Sequence, residues 1–417
     1  TDNGDSKRLL GILDVVALSL GLREVGKRPQ VVYAGNRALR ERVTAELGSQ
    51  TTVHVADNLR PTVETEHIGE VANLVNTLYE ELKMAELPGF GEVVAWSSYP
   101  PQPTARAFSQ MVRYFAALYQ ERVLGLDLGS NSVTIAVADE KNLQVAIHSN
   151  RGMGEPIAEF LDAGVVREIQ KWLAIDVAED TLADFLQTKA LYPGTMPMTD
   201  EELQVEQALA RYFLREAAGG AARNWAWPAA GSTVPPFALL LLRGQALTQA
   251  PRSAQALLMA LDALQPTGVF AVALDQYGVL PALGLLALRH PLPAVQILEG
   301  GVLLDLGWVV APRFRAAQGQ TILRVRVNAE KQGQLNVEVA AGDLTLLPLA
   351  PGEQAELILE PSRRVDVGFG PGQGKTITIH GGTAGLVIDA RGRPIELPKD
   401  QEERQALLQR WRWDMGG

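Results

Sequence analysis

The sequence contains no cysteine among its 417 residues. Without cysteine the chain can form no disulfide bond, no thiolate nucleophile and no cysteine-ligated metal site. Histidine is also scarce, and the spacing of the five histidines matches no metal-binding motif. The lack of cysteine is compatible with a cytoplasmic protein, and we expect a cytoplasmic location.

The sequence also lacks an apolar run long enough to span a membrane. Its most apolar stretches are Leu9–Leu22, which Asp14 interrupts, and Pro235–Leu242, which ends at Arg243. A transmembrane helix needs about 20 apolar residues, so we expect no membrane association. The first residues carry no basic segment of the kind that opens a signal peptide. Because position 1 is Thr1 rather than methionine, we expect the chain to be an incomplete part of a longer protein.

Positive charge is in deficit, since the formal net charge is −10 and the isoelectric point is about 5.2. Proteins that bind nucleic acid without regard to sequence need a basic face, so we expect no nucleic-acid partner. Hydrophobic residues make up 47% of the chain and charged residues 21%, which is typical of a globular protein. A chain of this length is expected to fold into about two or three domains.

Two apolar, β-prone runs meet at a small polar turn near the first third of the chain. The runs, Val123–Asp127 and Val133–Ala138, predict the two strands of a tight hairpin. The four turn residues are Gly129, Ser130, Asn131 and Ser132. Glycine lets the backbone approach an anion, successive turn N–H groups can point at phosphate oxygens, and serine hydroxyls add donors. These four residues are therefore candidate nucleotide-binding residues, as in the hairpins of actin-like and sugar-kinase-like ATPases.

Asp127 lies at the end of the first run and is the candidate metal ligand. As a hard oxygen ligand it would hold Mg²⁺ or its coordinated waters beside a phosphate. The alternative for the whole segment is an ordinary strand–turn–strand. An actin-like ATPase also needs a glycine-rich turn to seat adenosine, and the matching place reads Arg243-Gly244-Gln245. Gly244 is a further candidate nucleotide-binding residue, whereas the bulky Arg243 lowers the expected affinity for nucleotide.

The first segment of the chain, residues 1–121, alternates helix and strand patterns. Strands are predicted at Gln30–Ala34, Thr51–Val55 and Glu92–Trp96, and a helix is predicted from Thr104 to Tyr119. This alternation is typical of a parallel sheet covered by helices. We interpret the segment as the remainder of a first α/β lobe.

Two further segments follow. Residues 122–312 are predicted to begin with three hairpin-connected strands and then to alternate helices with strands. That order is typical of a ribonuclease-H-like lobe, the unit of actin-like ATPases, here with a helical insertion. Residues 313–417 carry seven short strand patterns, the last at Ile395–Leu397, and a final helix from Gln401 to Trp413. They predict a small all-β C-terminal domain, a barrel or sandwich, so the fold class is α/β with a β-rich C-terminal domain.

A glycine-rich run, Gly368–Lys375, is similar to a P-loop without fitting it. The P-loop needs a glycine five residues before its Gly-Lys pair, and Phe369 stands at that position. A strand pattern, Thr376–Ile379, also follows where a helix should begin. We therefore predict a flexible loop in a β domain, in which Lys375 has no role in ATP turnover.

The segment Asp389–Pro394 lies between two predicted strands. We predict a hairpin turn, because Gly392 permits the positive φ that such turns need. The alternative is that Arg391 and Arg393 are offered to an anionic partner.

Several of these segments together resemble the MutL (GlmL) family, which is encoded beside adenosylcobalamin-dependent glutamate mutase and is unrelated to the mismatch-repair protein of that name. The matching segments are Thr1–Asp5, Val31–Asn36, Asp57–Pro61, the Asp127 hairpin, Leu261–Pro266 and the fairly specific Gly385–Pro394. The resemblance implies an actin-like fold and an ATP-dependent chaperone or reactivating factor for a radical B12 enzyme. It implies a protein partner, a cobalamin-dependent mutase.

Three departures from the family pattern bear on nucleotide binding. The family's first phosphate motif lies before this chain begins, Val133 and Thr134 stand where the family has Thr and Asp, and Arg243 begins the adenosine turn in place of Ser. ATP and Mg²⁺ are therefore expected only in the full-length protein, and this chain is expected to hold no cofactor and no catalytic residue. The alternative function is a pseudo-ATPase, an actin-like scaffold that binds partner proteins without catalysis.

Overall fold

A computed structural model describes residues 1–4, 6–96, 98–99, 101–225 and 234–416, so that Asp5 of the first matching segment lies outside the described residues. The chain divides into two compact units, Thr1–Pro101 and Gln102–Gly417. Both units mix helices with strands, as the α/β fold class predicted. The division into segments 1–121, 122–312 and 313–417 stays a prediction. Among the described residues, no helix combines the length and the apolar character needed to cross a membrane.

The first unit contains two short strands and several helices. The strands are β1 (Val31–Tyr33) and β2 (Val53–Val55), and they pair in parallel as predicted. The α-helices are α1 (Ser6–Gly21), α2 (Arg40–Leu47), α3 (Gly69–Leu82) and α4 (Phe90–Trp96), with short 3₁₀ helices at Val25–Lys27, Arg37–Leu39 and Met84–Glu86.

The predicted strand Glu92–Trp96 is wrong, because these residues lie in α4. The Val93 N–H donates to the Gly89 carbonyl at 3.2 Å, which is a local helical bond. Val93, Val94 and Trp96 favour a strand, but so few residues do not specify a partner strand, and local hydrogen bonds override their propensity.

The second unit is built on an eight-stranded mixed sheet. Its strands are β3 (Val123–Leu128), β4 (Ser132–Ala138), β5 (Leu143–Ser149), β6 (Leu239–Arg243), β7 (Gly268–Leu274), β8 (Leu304–Ala311), β11 (Leu344–Leu347) and β14 (Leu386–Asp389). The order across the sheet is β11-β14-β8-β7-β6-β3-β4-β5. The predicted hairpin is confirmed, since β3 and β4 are antiparallel neighbours. Strands β6 and β7 run parallel to β3.

Helices cover both faces of this sheet, which explains why every residue of β3 is buried. The helices are α5 (Thr104–Tyr119), α6 (Ile157–Phe160), α7 (Ala163–Gln170), α8 (Glu179–Leu191), α9 (Asp200–Trp225), α10 (Gln245–Thr248), α11 (Ser253–Leu264), α12 (Leu280–Ala287), α13 (Pro291–Glu299) and α14 (Gln401–Asp414). Helices α5 and α12 cover one face and α9 and α11 the other. Gly125 allows α5 to approach closely, because an added Cβ would lie 2.4 Å from Val112 Cγ2.

A second, four-stranded antiparallel sheet lies near the C-terminus. Its strands are β9 (Thr321–Ala329), β10 (Gly333–Ala340), β12 (Gln354–Pro361) and β13 (Lys375–His380), in the order β10-β9-β12-β13. Its apolar face shares a core with residues of β8, β11 and β14, such as Val310, Leu347 and Ile388. Two of the strands predicted for a separate β domain, β11 and β14, therefore extend the large sheet instead.

Five charged side chains form a buried ion network in the second unit. Arg391 donates twice to Asp389 at 2.8 Å and once to Asp262 at 2.6 Å. Arg211, on α9, donates to the other oxygen of Asp262 at 2.6 Å. Arg393 donates to Asp389 at 2.8 Å. The network joins α9, α11 and the end of β14.

Both interpretations of the Asp389–Pro394 segment are therefore wrong. The side chains of Arg391 and Arg393 are 0% and 1% exposed, so they bind the chain's own carboxylates and are not offered to a partner. The segment is not a hairpin turn either, because the predicted strand Ile395–Leu397 does not form. The Ile395 N–H instead donates to the Gln265 side chain at 2.7 Å, so this stretch finds its hydrogen bond without a partner strand.

We predict that Arg391→Met lowers the free energy of unfolding by about 3–5 kcal/mol, because it leaves two buried carboxylates short of their cation. Urea unfolding of the whole chain measures the change. The control is Arg410→Met, which removes a half-exposed partner of Asp414 and should cost no more than about 0.5 kcal/mol. Equal losses in the two variants would show that the buried network contributes no more than a surface ion pair.

The network also predicts how stability depends on pH. Burial alone would raise the pKa of Asp389, but the charges of Arg391 and Arg393 outweigh it and hold that pKa well below its usual value. A lowered folded-state pKa stabilises the fold above the unfolded-state pKa, and this stabilisation is lost as the pH falls further. The difference in unfolding free energy between wild type and Asp389→Asn should stay constant from pH 7 to about pH 5 and shrink below about pH 4. A difference that stays flat down to about pH 3 would contradict the assignment.

Candidate functional site

A cleft of about 310 Å³ opens in the second unit at the ends of β3 and β6. In open α/β sheets, ligands bind outside the carboxyl ends of parallel strands, which is where this cleft lies. Of the predicted site residues, Asp127, Gly129, Ser130 and Gly244 line the cleft. Asn131 and Ser132 are in the same turn but do not line it.

The hairpin turn is held by its own backbone hydrogen bonds. The Gly129 N–H donates to the Ser132 carbonyl at 2.9 Å, and the Gly129 carbonyl accepts from Met153 at 3.1 Å. Ser130 and Asn131 are exposed, and within the described chain their backbone N–H groups donate to no backbone carbonyl. The turn can therefore present two amide donors to an anion, whereas the Gly129 amide is already used.

Asp127 binds an arginine from the neighbouring strand. Its Oδ2 accepts from Arg243 Nη1 at 2.5 Å, and Arg243 Nε lies 3.6 Å from Asp275 Oδ2. Asp275 is itself fully buried and accepts from the N–H groups of Val279 and Leu280 at 2.8 and 2.9 Å. These two bonds fix Asp275 at the start of α12. The Arg243 guanidinium therefore lies between two positioned carboxylates.

Asp127 is paired with a cation, but its hydrogen bonding is incomplete. Burial raises the pKa of Asp127, and the charge and hydrogen bond of Arg243 act in the opposite direction. Among the described residues, Asp127 Oδ1 has no hydrogen-bond partner although it is buried. A buried acceptor left unpaired costs about 1–3 kcal/mol, so Oδ1 marks a position where a hydrogen-bond donor would be favoured.

A second ion pair in the cleft was not predicted from the sequence. Lys189 Nζ lies 2.8 Å from Glu206 Oε2 and donates to the Thr195 carbonyl at 2.7 Å. Both side chains are buried and both line the cleft. The signal that could have revealed Lys189 is its helical spacing from Leu182 and Leu186, which places a lysine on the buried face of α8. Such a lysine needs a buried partner.

The cleft therefore contains three carboxylates and two cations, those of Asp127, Glu206, Asp275, Lys189 and Arg243. Each cation is paired with a carboxylate of the chain. The net formal charge is negative, which does not favour a polyphosphate. Mg²⁺ would have to displace Arg243 to reach Asp127 Oδ2. These residues as arranged do not fit Mg²⁺.

The glycine-rich run does not form a phosphate site. Asp366 Oδ1 accepts from the N–H groups of Gly368 and Gly370 at 2.7 and 3.0 Å, so a carboxylate of the chain occupies the place of an anion. The following residues begin β13 rather than a helix, which confirms that the run is not a P-loop. Lys375 Nζ lies 4.5 Å from the Phe369 ring centroid. These hydrogen bonds and the contact of Lys375 with Phe369 hold the loop in place, which the prediction of a flexible loop did not anticipate.

A model of the family described as MutL protein matches residues 1–302. The match covers well over half of the chain, and the protein belongs to this family, the glutamate mutase-associated MutL family. The family recognised from the sequence segments is confirmed, and of those segments Gly385–Pro394 lies outside the matched residues. Membership suggests an association with glutamate mutase. A search of curated proteins found no match to the chain.

We predict that Gly244→Ala destabilises the second unit more than a comparable change nearby. Gly244 has a φ of 121°, and an added Cβ would lie 2.1 Å from the Leu128 carbonyl oxygen at the end of β3. The unfolding free energy should fall by more than about 3 kcal/mol, since strained backbone and overlap combine. The control is Gly278→Ala, where φ is 67° and the nearest heavy atom is 3.9 Å away. That variant should lose about 1 kcal/mol in the same urea titration.

Proposed function

We propose that this protein is an actin-like chaperone or reactivating factor for an adenosylcobalamin-dependent mutase. The observation that carries the proposal is the family match over residues 1–302, because that family is associated with glutamate mutase. Such a partner implies a cytoplasmic location, which the lack of cysteine supports. The acidic net charge of −10 supports a protein partner rather than a nucleic acid.

The order of the strands supports an actin-like, ribonuclease-H-like core. Three consecutive strands, β3, β4 and β5, form an antiparallel meander at one side of the sheet. Strands β6 and β7 then add in parallel beside β3, which gives the order β5-β4-β3-β6-β7 within the large sheet. The cleft at the ends of β3 and β6 lies where such a core would meet its ligand.

A specific observation favours the second candidate, a pseudo-ATPase scaffold that binds partner proteins without catalysis. Arg243 occupies the carboxylate on which Mg²⁺ would depend. The two cations of the cleft are also already paired with carboxylates of the chain. A nucleotide would therefore have to break existing ion pairs to bind. We propose that this chain acts through its protein contacts and not through ATP hydrolysis.

The test of the partner is complex formation with glutamate mutase, measured by analytical gel filtration of the two purified proteins. The mutase, inactivated by turnover, is then assayed for recovery with fresh adenosylcobalamin. A complex that restores activity supports the reactivating factor, and a complex that restores none supports the scaffold. If no complex forms with this mutase, the proposed partner is wrong.

We predict that the chain binds ATP no more tightly than a dissociation constant of roughly 1 mM, about −4 kcal/mol, and does not hydrolyse it. The reason is the cost of separating Arg243 from Asp127. Isothermal titration calorimetry with ATP, in the presence and absence of Mg²⁺, measures the affinity. Low-micromolar binding would overturn the scaffold candidate and leave the mutase partner untouched.

We also predict that Lys375→Ala leaves complex formation and any ATP turnover within experimental error. Lys375 lies at the start of β13 against Phe369 and far from any P-loop geometry. Circular dichroism should first establish that the variant is folded. A folded variant that loses turnover would show that the glycine-rich run takes part in nucleotide binding.

A further inference from the structure

Arg243 and Asp127 are paired by the sheet itself. They occupy directly opposite positions of the parallel pair β3 and β6. On the other side of β3, the residue opposite Asp127 is Thr134, which is uncharged. The charge that faces Asp127 across the sheet therefore comes from β6. Strand register therefore places the two residues side by side, within reach of an ion pair.

The surroundings of Arg243 hold it further in place. Its Nη1 bonds Asp127 and its Nε faces Asp275, which the backbone of α12 holds by two hydrogen bonds. The following residue, Gly244, lies so close to Leu128 that no larger residue fits without a shift of backbone. The base of the Arg243 side chain is thus fixed against the end of β3.

We infer that Arg243 fills the cation position of this cleft and that it excludes divalent metal from Asp127. Mg²⁺ is commonly held by one or two carboxylates and several waters. Asp127, whose buried Oδ1 is unpartnered among the described residues, would be the first ligand of such a site if Arg243 were absent, and Asp275 lies beside the same guanidinium. Arg243 therefore sets the ligand specificity of the cleft against metal-bound ligands.

The inference deepens the scaffold candidate but can be tested without a partner protein. Mn²⁺, a paramagnetic probe for Mg²⁺ sites, is titrated into the whole chain and free Mn²⁺ is measured by electron paramagnetic resonance. The variants are Arg243→Ser, Asp127→Asn and the double variant. The control is Arg315→Ser, which removes an exposed arginine of the same unit outside the cleft. Circular dichroism checks the fold of each.

We expect wild type and Arg315→Ser to bind Mn²⁺ equally weakly, and Asp127→Asn to make no difference in the presence of Arg243. Arg243→Ser should bind Mn²⁺ at least tenfold more tightly, and the double variant should lose that gain. The inference is overturned if Arg243→Ser folds and gains nothing. It is also overturned if wild type binds Mn²⁺ tightly and Asp127→Asn abolishes the binding, a comparison that remains decisive where Arg243→Ser fails to fold. None of these results depends on whether the mutase is the partner.

Discussion

The buried bonds of Arg391 are the constraint on which the second unit depends. This side chain is fully buried and binds carboxylates from two segments, Asp389 at the end of β14 and Asp262 on α11. Removing ions from water costs several kcal/mol each, and only close pairing offsets that cost. Separating the segments would break the bond between Arg391 and Asp262 and leave each of these buried ions with fewer partners. The Arg391 Cζ lies 4.7 Å from the centroid of the Trp411 ring, so the terminal helix α14 also packs against the ion network.

One helix, α9, connects the buried ion network to the cleft. Helix α9 carries Arg211 into the network and, five residues earlier, Glu206 into the cleft. Anchoring α9 at Arg211 positions the Glu206 carboxylate that pairs with Lys189. The other ion pair of the cleft, Asp127 with Arg243, is fixed by strand register. Both pairs of the cleft are thus set by the framework, which leaves the site little freedom to reorganise around a charged ligand.

Local patterns predicted much of the fold but not its charge pairing. Helix α5 begins and ends where its sequence pattern placed it, and the β3–β4 hairpin follows from its short turn. The strands predicted at Glu92–Trp96 and Ile395–Leu397 do not form, because a short stretch of strand-favouring residues does not specify which strand it pairs with. Asp127 was recognised, but its bond to Arg243 joins residues 116 positions apart. A local sequence pattern cannot predict such a contact. It cannot predict the bond between Arg391 and Asp262 either, because they are 129 positions apart.

Two segments that resemble the family's landmarks, Leu261–Pro266 and Gly385–Pro394, meet in the network. Asp262 binds Arg391, and Arg393 donates to the Pro266 carbonyl at 3.0 Å. In this chain these segments join the fold. Of the departures from the family pattern within the chain, Arg243 lines the cleft and Thr134 is the strand neighbour of Asp127. A scaffold needs its framework intact and can lose the chemistry of its cleft, whereas an ATPase needs both. The distribution of these residues therefore supports a role in which shape, and not phosphate chemistry, serves the partner.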